Sequence, residues 1–381
     1  MADKFIWRPS AELVERANVT RLARTLGAGD YHALHRISVE EPERFWPAVV
    51  ADLGIEFSRP WDAVVDASRG PEWATWFTGG HLNAARVCLH RWAAARPDEE
   101  ALVGRYEDGR RESLTFAEAS HQATQLAEAL VELGVREGDR VAIFMPMCPA
   151  VAVASHACAH IGAVQVPIFS GFAAPAIASR LEDSGAKVVL CADWSLRRGK
   201  RIEMRETLEE AGRFAVEHVV AWNRETCAWP EVVTRQPGVL PPAEIDSEAP
   251  YLLAYTSGTT GKPKGALHVQ GGFLVSIARE VAYQADVNAG DRIHFATDMG
   301  WIMGPWTVLG GGAVGATIVL AEGAPDWPDD RLWQLVESER MTMLGLSPTL
   351  VRALIPKGEP TADLSSLRTL VTTGEPWNPD P

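Results

Sequence analysis

The sequence has few cysteines, and none of them lie close together. Cys88, Cys148, Cys158, Cys191 and Cys227 are five in 381 residues, an odd number with no C-x-x-C pair. That spacing offers neither a zinc site nor a disulfide framework and fits reduced, partly buried thiols. Positive charge is scarce too: 36 Lys and Arg stand against 50 Asp and Glu, a formal net charge of −14. General nucleic-acid binding needs a basic face, so the balance argues against it. A nucleotide ligand is still compatible, because one site needs only local positive charge. No apolar run reaches the length of a membrane span before Gly, Pro or His interrupts it. The opening MADKFIWRPSAELVE lacks the apolar core of a secretory signal. The expectation is a cytoplasmic protein with no nucleic-acid or membrane partner. Its oligomeric state cannot be read from the sequence.

Apolar and charged residues occur at ordinary globular fractions, and the length leaves room for two or more packed units. There is no internal repeat. Residues 1–77 carry Trp7, Trp46, Trp61, Trp73 and Trp76 without regular alternation, and read as a helical and irregular leader. Thr115 and Glu118 then form a capping box for a helix whose apolar residues recur through Leu126, Leu130 and Leu133, up to Gly134. Strand-like Asp139–Met145, Val164–Phe169 and Lys187–Cys191 alternate with helical stretches over 150–161 and 174–183. Such alternation with short connections signals βαβ units and a parallel sheet. We divide the chain into the leader, a first α/β lobe over 78–235, a Pro-rich linker over 236–250 and a second α/β lobe over 251–381. The second lobe has strand-like 251–255, 292–296, 316–320, 342–346 and 368–371, with helices over 273–283, 329–339 and 348–354.

The second lobe opens with YTSGTTGKPKG, Tyr255 to Gly265, in which seven of eleven residues are Gly, Ser or Thr. This is not the G-x-x-x-x-G-K-[ST] loop of nucleotide hydrolases, because Gly258 and Gly261 have two residues between them and Pro263 follows Lys262. A phosphate cradle is still chemically sound. Glycines let the backbone approach an anion, hydroxyls donate hydrogen bonds, and Lys262 and Lys264 bring charge. A second glycine pattern, G-x-G-x-x-G over 310–315, precedes a strand-like stretch. A dinucleotide fingerprint should follow a strand and open a helix, so the order is wrong.

The string from Tyr255 to Gly265 resembles the phosphate-loop signature of the adenylate-forming (AMP-binding) superfamily. Within it the chain looks most like the acetyl-CoA and propionyl-CoA synthetase branch. Gly79–Leu89, Val141–Phe172, Gly300-Trp301 with Glu322–Pro328, and Gly374-Glu375-Pro376 carry that likeness, which covers roughly residues 40 to 381. The fold it implies is α/β: the N-terminal domain of an adenylate-forming enzyme with stacked βαβ lobes, cut before its end and lacking the C-terminal domain. The activity it implies is that of an AMP-forming acyl-CoA synthetase, in which a short-chain carboxylic acid and ATP give an acyl-adenylate that CoA then captures. ATP, Mg²⁺ and CoA are the implied cofactors and co-substrates.

The resemblance also implies site residues. Lys264 and Thr256 would serve catalysis. Thr256, Ser257, Gly258, Thr259, Thr260, Gly261 and Lys264 would bind the ATP phosphates, and Gly374, Glu375 and Pro376 the adenine. Trp301, Ile302, Met303 and Thr373 would line the acyl pocket. Ile302, Met303 and Thr373 differ from the residues usual in the branch, which puts acetate itself in question. Arg197 and Lys200 would hold CoA phosphates, with Lys replacing one fork-shaped Arg. His268 reads as a packed strand-end histidine. No residue is assigned to a metal. The family's ribose aspartate, magnesium glutamate and catalytic lysine would lie beyond Pro381, so the chain reads as a fragment of a longer enzyme. Two other readings stay open: a non-catalytic nucleotide-binding remnant, and adenylation with an acceptor other than CoA. The 381-residue chain by itself is expected to make no appreciable acyl-CoA. AMP and thioester formed from acetate, propionate or butyrate with ATP and CoA would contradict this.

Overall fold

The computed structural model describes residues 8–212, 214–256 and 263–377. Four helices come first: α1 (Ala11–Arg16), α2 (Asn18–Thr25), α3 (Tyr31–Glu40) and α4 (Pro42–Asp52). A hairpin of β1 (Ala63–Asp66) and β2 (Thr75–Thr78) leads to short β3 (His81–Leu82) and α5 (Arg91–Ala95). A second hairpin, β4 (Glu100–Arg105) and β5 (Arg111–Thr115), precedes α6 (Phe116–Glu132). Strands and helices then alternate through β6 (Arg140–Phe144), α7 (Pro149–His160), β7 (Val164–Pro167), α8 (Ala174–Ser184) and β8 (Val188–Ala192). Next come the hairpin β9 (Ser195–Arg197) and β10 (Lys200–Ile202), then α9 (Met204–Ala211), β11 (His218–Trp222) and α10 (Glu231–Thr234). The last third holds β12 (Ile245–Asp246), β13 (Pro250–Thr256), β14 (Lys264–Val269), α11 (Gln270–Arg279), β15 (Arg292–Phe295) and α12 (Met303–Val314). It closes with β16 (Thr317–Ala321), α13 (Arg331–Glu339), β17 (Met343–Leu346), α14 (Pro348–Leu354) and β18 (Thr369–Thr372).

Two six-stranded sheets frame the described residues, in the orders β11-β8-β6-β7-β13-β14 and β18-β17-β15-β16-β4-β5. Each is parallel except for one antiparallel edge strand, β14 in the first and β5 in the second. The α/β class expected from the sequence is therefore the one observed. The central strands are apolar on both faces because helices cover both. All of β8, β16 except its last residue, and β17 are buried. The second sheet draws on two distant stretches of chain, since β4 pairs with β16 from Leu102 and Ile318 onward.

The helices follow from local chemistry. α6 starts on the expected capping box, Thr115 Oγ1 accepting from the Glu118 amide and the Glu118 carboxylate accepting from the Thr115 amide. α7, PAVAVASHACAH, is buried along its whole length; its small side chains let it lie between neighbours on every side. The expected helix over 273–283 runs as α11 to Arg279 and then widens over Glu280–Gln284. The G-x-G-x-x-G stretch falls within α12 and its cap, not in a strand-to-helix turn. A Cβ at Gly310, Gly311 or Gly312 would come within 2.4 Å of Val281, 2.6 Å of Ile293 or 2.7 Å of Cys88. These glycines are packing devices for a helix pressed on three sides.

One buried ion pair ties the two sheets together. Arg224, just past β11, points Nε and Nη2 at the Glu322 carboxylate, just past β16, at 2.6 and 2.5 Å. Its Nη1 lies 3.0 Å from Asp108 in the β4–β5 turn. Arg224 is 0% and Glu322 1% exposed. A guanidinium can satisfy two carboxylates at once because its donors are fixed in a fork. Arg224→Ala or Glu322→Ala strands one buried charge and is expected to cost about 3–5 kcal/mol, while Arg224→Met with Glu322→Leu costs much less than the sum. Denaturant unfolding of the three variants checks this, and additive losses would contradict it.

Candidate active site

A cavity of about 600 Å³ lies between the two sheets. Its wall is built from the residues that follow parallel strands: Pro146 and Met147 after β6, Phe169–Gly171 after β7, and Ser195–Arg197 after β8. From the second sheet come Ala296–Met303 after β15, Ala321–Asp326 at and beyond the end of β16, Ser347–Leu350 after β17, and Thr373–Gly374 after β18, with gaps within these stretches. Open α/β sheets bind ligands outside the carboxyl ends of their strands, where loops diverge and leave a crevice. Here two such ends face each other.

Asp298 pins the two loop sets. It is 6% exposed and accepts from the Ser170 hydroxyl at 2.5 Å, the Ser170 amide at 3.3 Å and the Gly300 amide at 2.9 Å. Burial raises its pKa above the usual carboxylate range, and the Ser170 and Gly300 donors pull the other way. Gly300 must be glycine, since a Cβ there would sit 2.3 Å from the Phe169 nitrogen. Trp301 follows, half exposed, with its ring centroid 5.9 Å from that of Phe169. Ile302 and Met303 continue into α12 at the cavity wall.

A basic hairpin closes one side. Arg198 and Gly199 both have positive φ, 52° and 70°, which matches the twist of a two-residue connection between β9 and β10. Three contacts hold the tip: Arg198 on Asp326 at 2.7 Å to both oxygens, the Gly199 amide on Glu107 at 2.7 Å, and the Leu196 amide on Glu322 at 3.1 Å. Arg197 borders the cavity, and Lys200 is its cross-strand neighbour. Glu322 thus anchors both Arg224 and the hairpin. Sequence reasoning tied Glu322 only to a pocket-like string and Ser170 only to the stretch Val141–Phe172, and passed over Asp298 and His294. The one signal for Asp298 was a lone acid inside the apolar run HFATDMGW.

The structure brings Arg197, Trp301, Ile302, Met303, Thr373 and Gly374 to one cavity. Glu375 sits beside it but turns to α14, accepting from the Thr349 amide at 2.8 Å and from Arg352 at 2.8 Å. Pro376 and Lys200 are exposed and outside its wall. Thr256 and Lys264 are exposed partners across the β13–β14 hairpin, and the Thr256 hydroxyl lies 3.5 Å from the Lys264 carbonyl. Because β13 runs parallel to β7, Thr256 ends its strand on the same side as Phe169–Gly171. Tyr255 is buried there, donating to Asp183 at 2.6 Å. A strand, β14, follows Pro263, whereas a hydrolase phosphate loop would open a helix. Ser257, Gly258, Thr259, Thr260 and Gly261 lie outside the described residues. His268 packs on Phe273, ring centroids 4.7 Å apart, and burial lowers its pKa. Among the described residues no group of three or more His, Cys, Asp or Glu is placed to hold a metal, and no helix is long and apolar enough to cross a membrane.

Residues 89–381 match the AMP-binding enzyme family, and residues 31–88 match the acetyl-coenzyme A synthetase N-terminus family. An acetyl-coenzyme A synthetase of Cronobacter sakazakii is 36% identical over 374 residues, covering 92% of this chain and 57% of that protein. One from Chlorobaculum tepidum is 37% identical over 370 residues, covering 92% of this chain and 55% of that protein. The solved acetoacetyl-CoA synthetase from Streptomyces lividans superposes with a TM-score of 0.90 at 32% identity, over 98% of this chain and 60% of that one. The chain spans between half and three-fifths of the length of these relatives. With the two sheets, the shared cavity and these matches in place, the chain belongs to the AMP-binding family of adenylate-forming enzymes, on its acetyl-CoA synthetase-like side.

Proposed function

We propose that the protein activates a carboxylic acid with ATP and transfers the acyl group to CoA. The observation that supports this most is a shared cavity at the carboxyl ends of both sheets, where Arg197, Trp301–Met303, Thr373 and Gly374 meet from distant parts of the chain. In the first step a carboxylate oxygen attacks the α-phosphorus of ATP, the bond to the β-phosphate bridge breaks, and pyrophosphate leaves. In the second the CoA sulfur, its proton lost, attacks the acyl carbon, and AMP leaves with that oxygen.

In this reading the chain's residues position groups and neutralise charge. Lys264 and the Thr256 hydroxyl flank the ends of the glycine-rich loop and face the β- and γ-phosphates, with Ser257, Gly258, Thr259, Thr260 and Gly261 between them. Gly374, Glu375 and Pro376 receive the adenine. Glu375 is already fixed to α14, so its turn presents backbone rather than carboxylate. Trp301, Ile302, Met303 and Thr373 bound the acyl group. Arg197 and Lys200 offer a fork and a point charge to CoA phosphates. Magnesium would arrive with the ATP phosphates and would offset part of their charge.

Lys264→Ala in the full-length protein is expected to lower acid-dependent pyrophosphate–ATP exchange by about 100-fold, the scale of losing one charge-stabilising donor. Unchanged exchange would remove the loop from the chemistry. Arg197→Ala is expected to raise KM for CoA about 10-fold or more, the worth of a hydrogen bond to a charged group, and to leave that exchange intact. A lowered exchange with unchanged KM for CoA would assign Arg197 to adenylation instead.

A further inference from the structure

The cavity has lining residues that the chemistry above leaves unused. Side chains along β15 alternate between two layers. Ile293 meets α12 at Gly311, and Phe295 packs edge-on against Trp306 of α12, ring centroids 6.1 Å apart. His294 therefore faces the other layer, that of α13 and α14. There it borders the cavity together with Leu332 and Leu335 of α13 and Leu350 and Ala353 of α14. It is 4% exposed.

The tautomer of this ring follows from its one hydrogen bond. Nδ1 lies 2.9 Å from the Val319 carbonyl oxygen, which can only accept, so Nδ1 carries the hydrogen. Burial holds the imidazole neutral, lowering its pKa to about 4; the Val319 bond opposes this and the charge of Arg331 adds to it. The Nε2 lone pair is then an acceptor; Nε2 makes no hydrogen bond among the described residues and opens on the cavity. The nearby cation is committed elsewhere, since Arg331 donates to the carbonyls of Ala324 at 2.9 Å and Glu322 at 2.5 Å. An acceptor that opens on a leucine-lined cavity can take a donor from a ligand, and a ligand that displaces solvent without supplying one leaves it bare at a cost of about 1–3 kcal/mol.

We propose that His294 is a specificity-determining residue in the wall of the cavity that takes the acyl group, and that the acid this protein activates is longer than acetate and carries a hydroxyl that Nε2 accepts. This rests on the acyl-activation reading above. A plain alkyl chain fills the Leu332–Leu335 side but leaves Nε2 bare, whereas a hydroxy acid satisfies both. Sites built to hydrogen-bond a substrate hydroxyl discriminate strongly against analogues without it.

The test is acid-dependent pyrophosphate–ATP exchange by the full-length protein with butyrate, 3-hydroxybutyrate and 4-hydroxybutyrate. The wild type is expected to favour one hydroxy acid over butyrate by about 10-fold or more in kcat/KM. His294→Leu should abolish or reverse that preference while retaining exchange with butyrate, and His294→Gln, which keeps an acceptor, should preserve part of it. If His294→Leu fails to fold, the wild-type ratio and that of His294→Gln decide. Equal use of all three acids by the wild type, or an unchanged ratio in the variants, overturns the proposal and leaves acyl activation standing. Exchange with no carboxylic acid at all overturns acyl activation itself.

Discussion

The ion pair between Arg224 and Glu322 is the interaction on which the site depends. It joins the end of β11 in one sheet to the end of β16 in the other, with both charges out of water. Two ions so buried are costly unless every donor and acceptor is used. Here they are nearly all used: Arg224 also meets Asp108, and the Glu322 oxygens also accept from the amides of Leu196 and Glu107. The carboxylate therefore sets the spacing between the sheets and the place of the β9–β10 hairpin together. Asp298 does the same on the other wall through Ser170 and Gly300. The two clamps thus fix the loops that wall the cavity.

This arrangement explains how an acidic protein can present a site for anions. The net charge is −14, yet the hairpin tip carries Arg197, Arg198, Lys200 and Arg201 in a five-residue stretch. Arg198 and Arg201 are neutralised by Asp326 and Glu203. Among the described residues Arg197 forms no salt bridge: it donates to the Gly323 carbonyl at 3.3 Å, and its charge acts on Asp298 only at a distance. Local potential is decided by which charges are paired, not by the total. The remaining wall is mostly apolar, which suits an acyl chain and strengthens the few polar contacts within it.

Features with local causes were legible in the sequence. The capping box of α6, the strand-like runs of β6, β8 and β17, and the α/β alternation all follow from neighbours a few residues apart. The order of the glycines over 310–315 was enough to set aside a dinucleotide loop, but the helix that contains them was not anticipated. α12 includes Pro305 and three consecutive glycines, is apolar all round, and shows no periodicity to betray it. The pairing of β4 with β16, the Arg224–Glu322 bridge and the Asp298–Ser170 bridge each join residues about a hundred or more positions apart. Nothing local marks such pairs. For the same reason Trp301, Thr373 and Arg197 could be singled out one by one, but only the fold puts them around one cavity.

The central claim is that a carboxylate oxygen becomes bonded to the α-phosphorus of ATP in this cavity. The most direct measurement uses a carboxylic acid labelled with ¹⁸O in both oxygens, full-length protein, ATP and CoA, with mass analysis of the nucleotide product. The account predicts AMP carrying one ¹⁸O atom and an acyl-CoA that keeps the other. Unlabelled AMP, or ¹⁸O recovered in inorganic phosphate beside ADP, would contradict it.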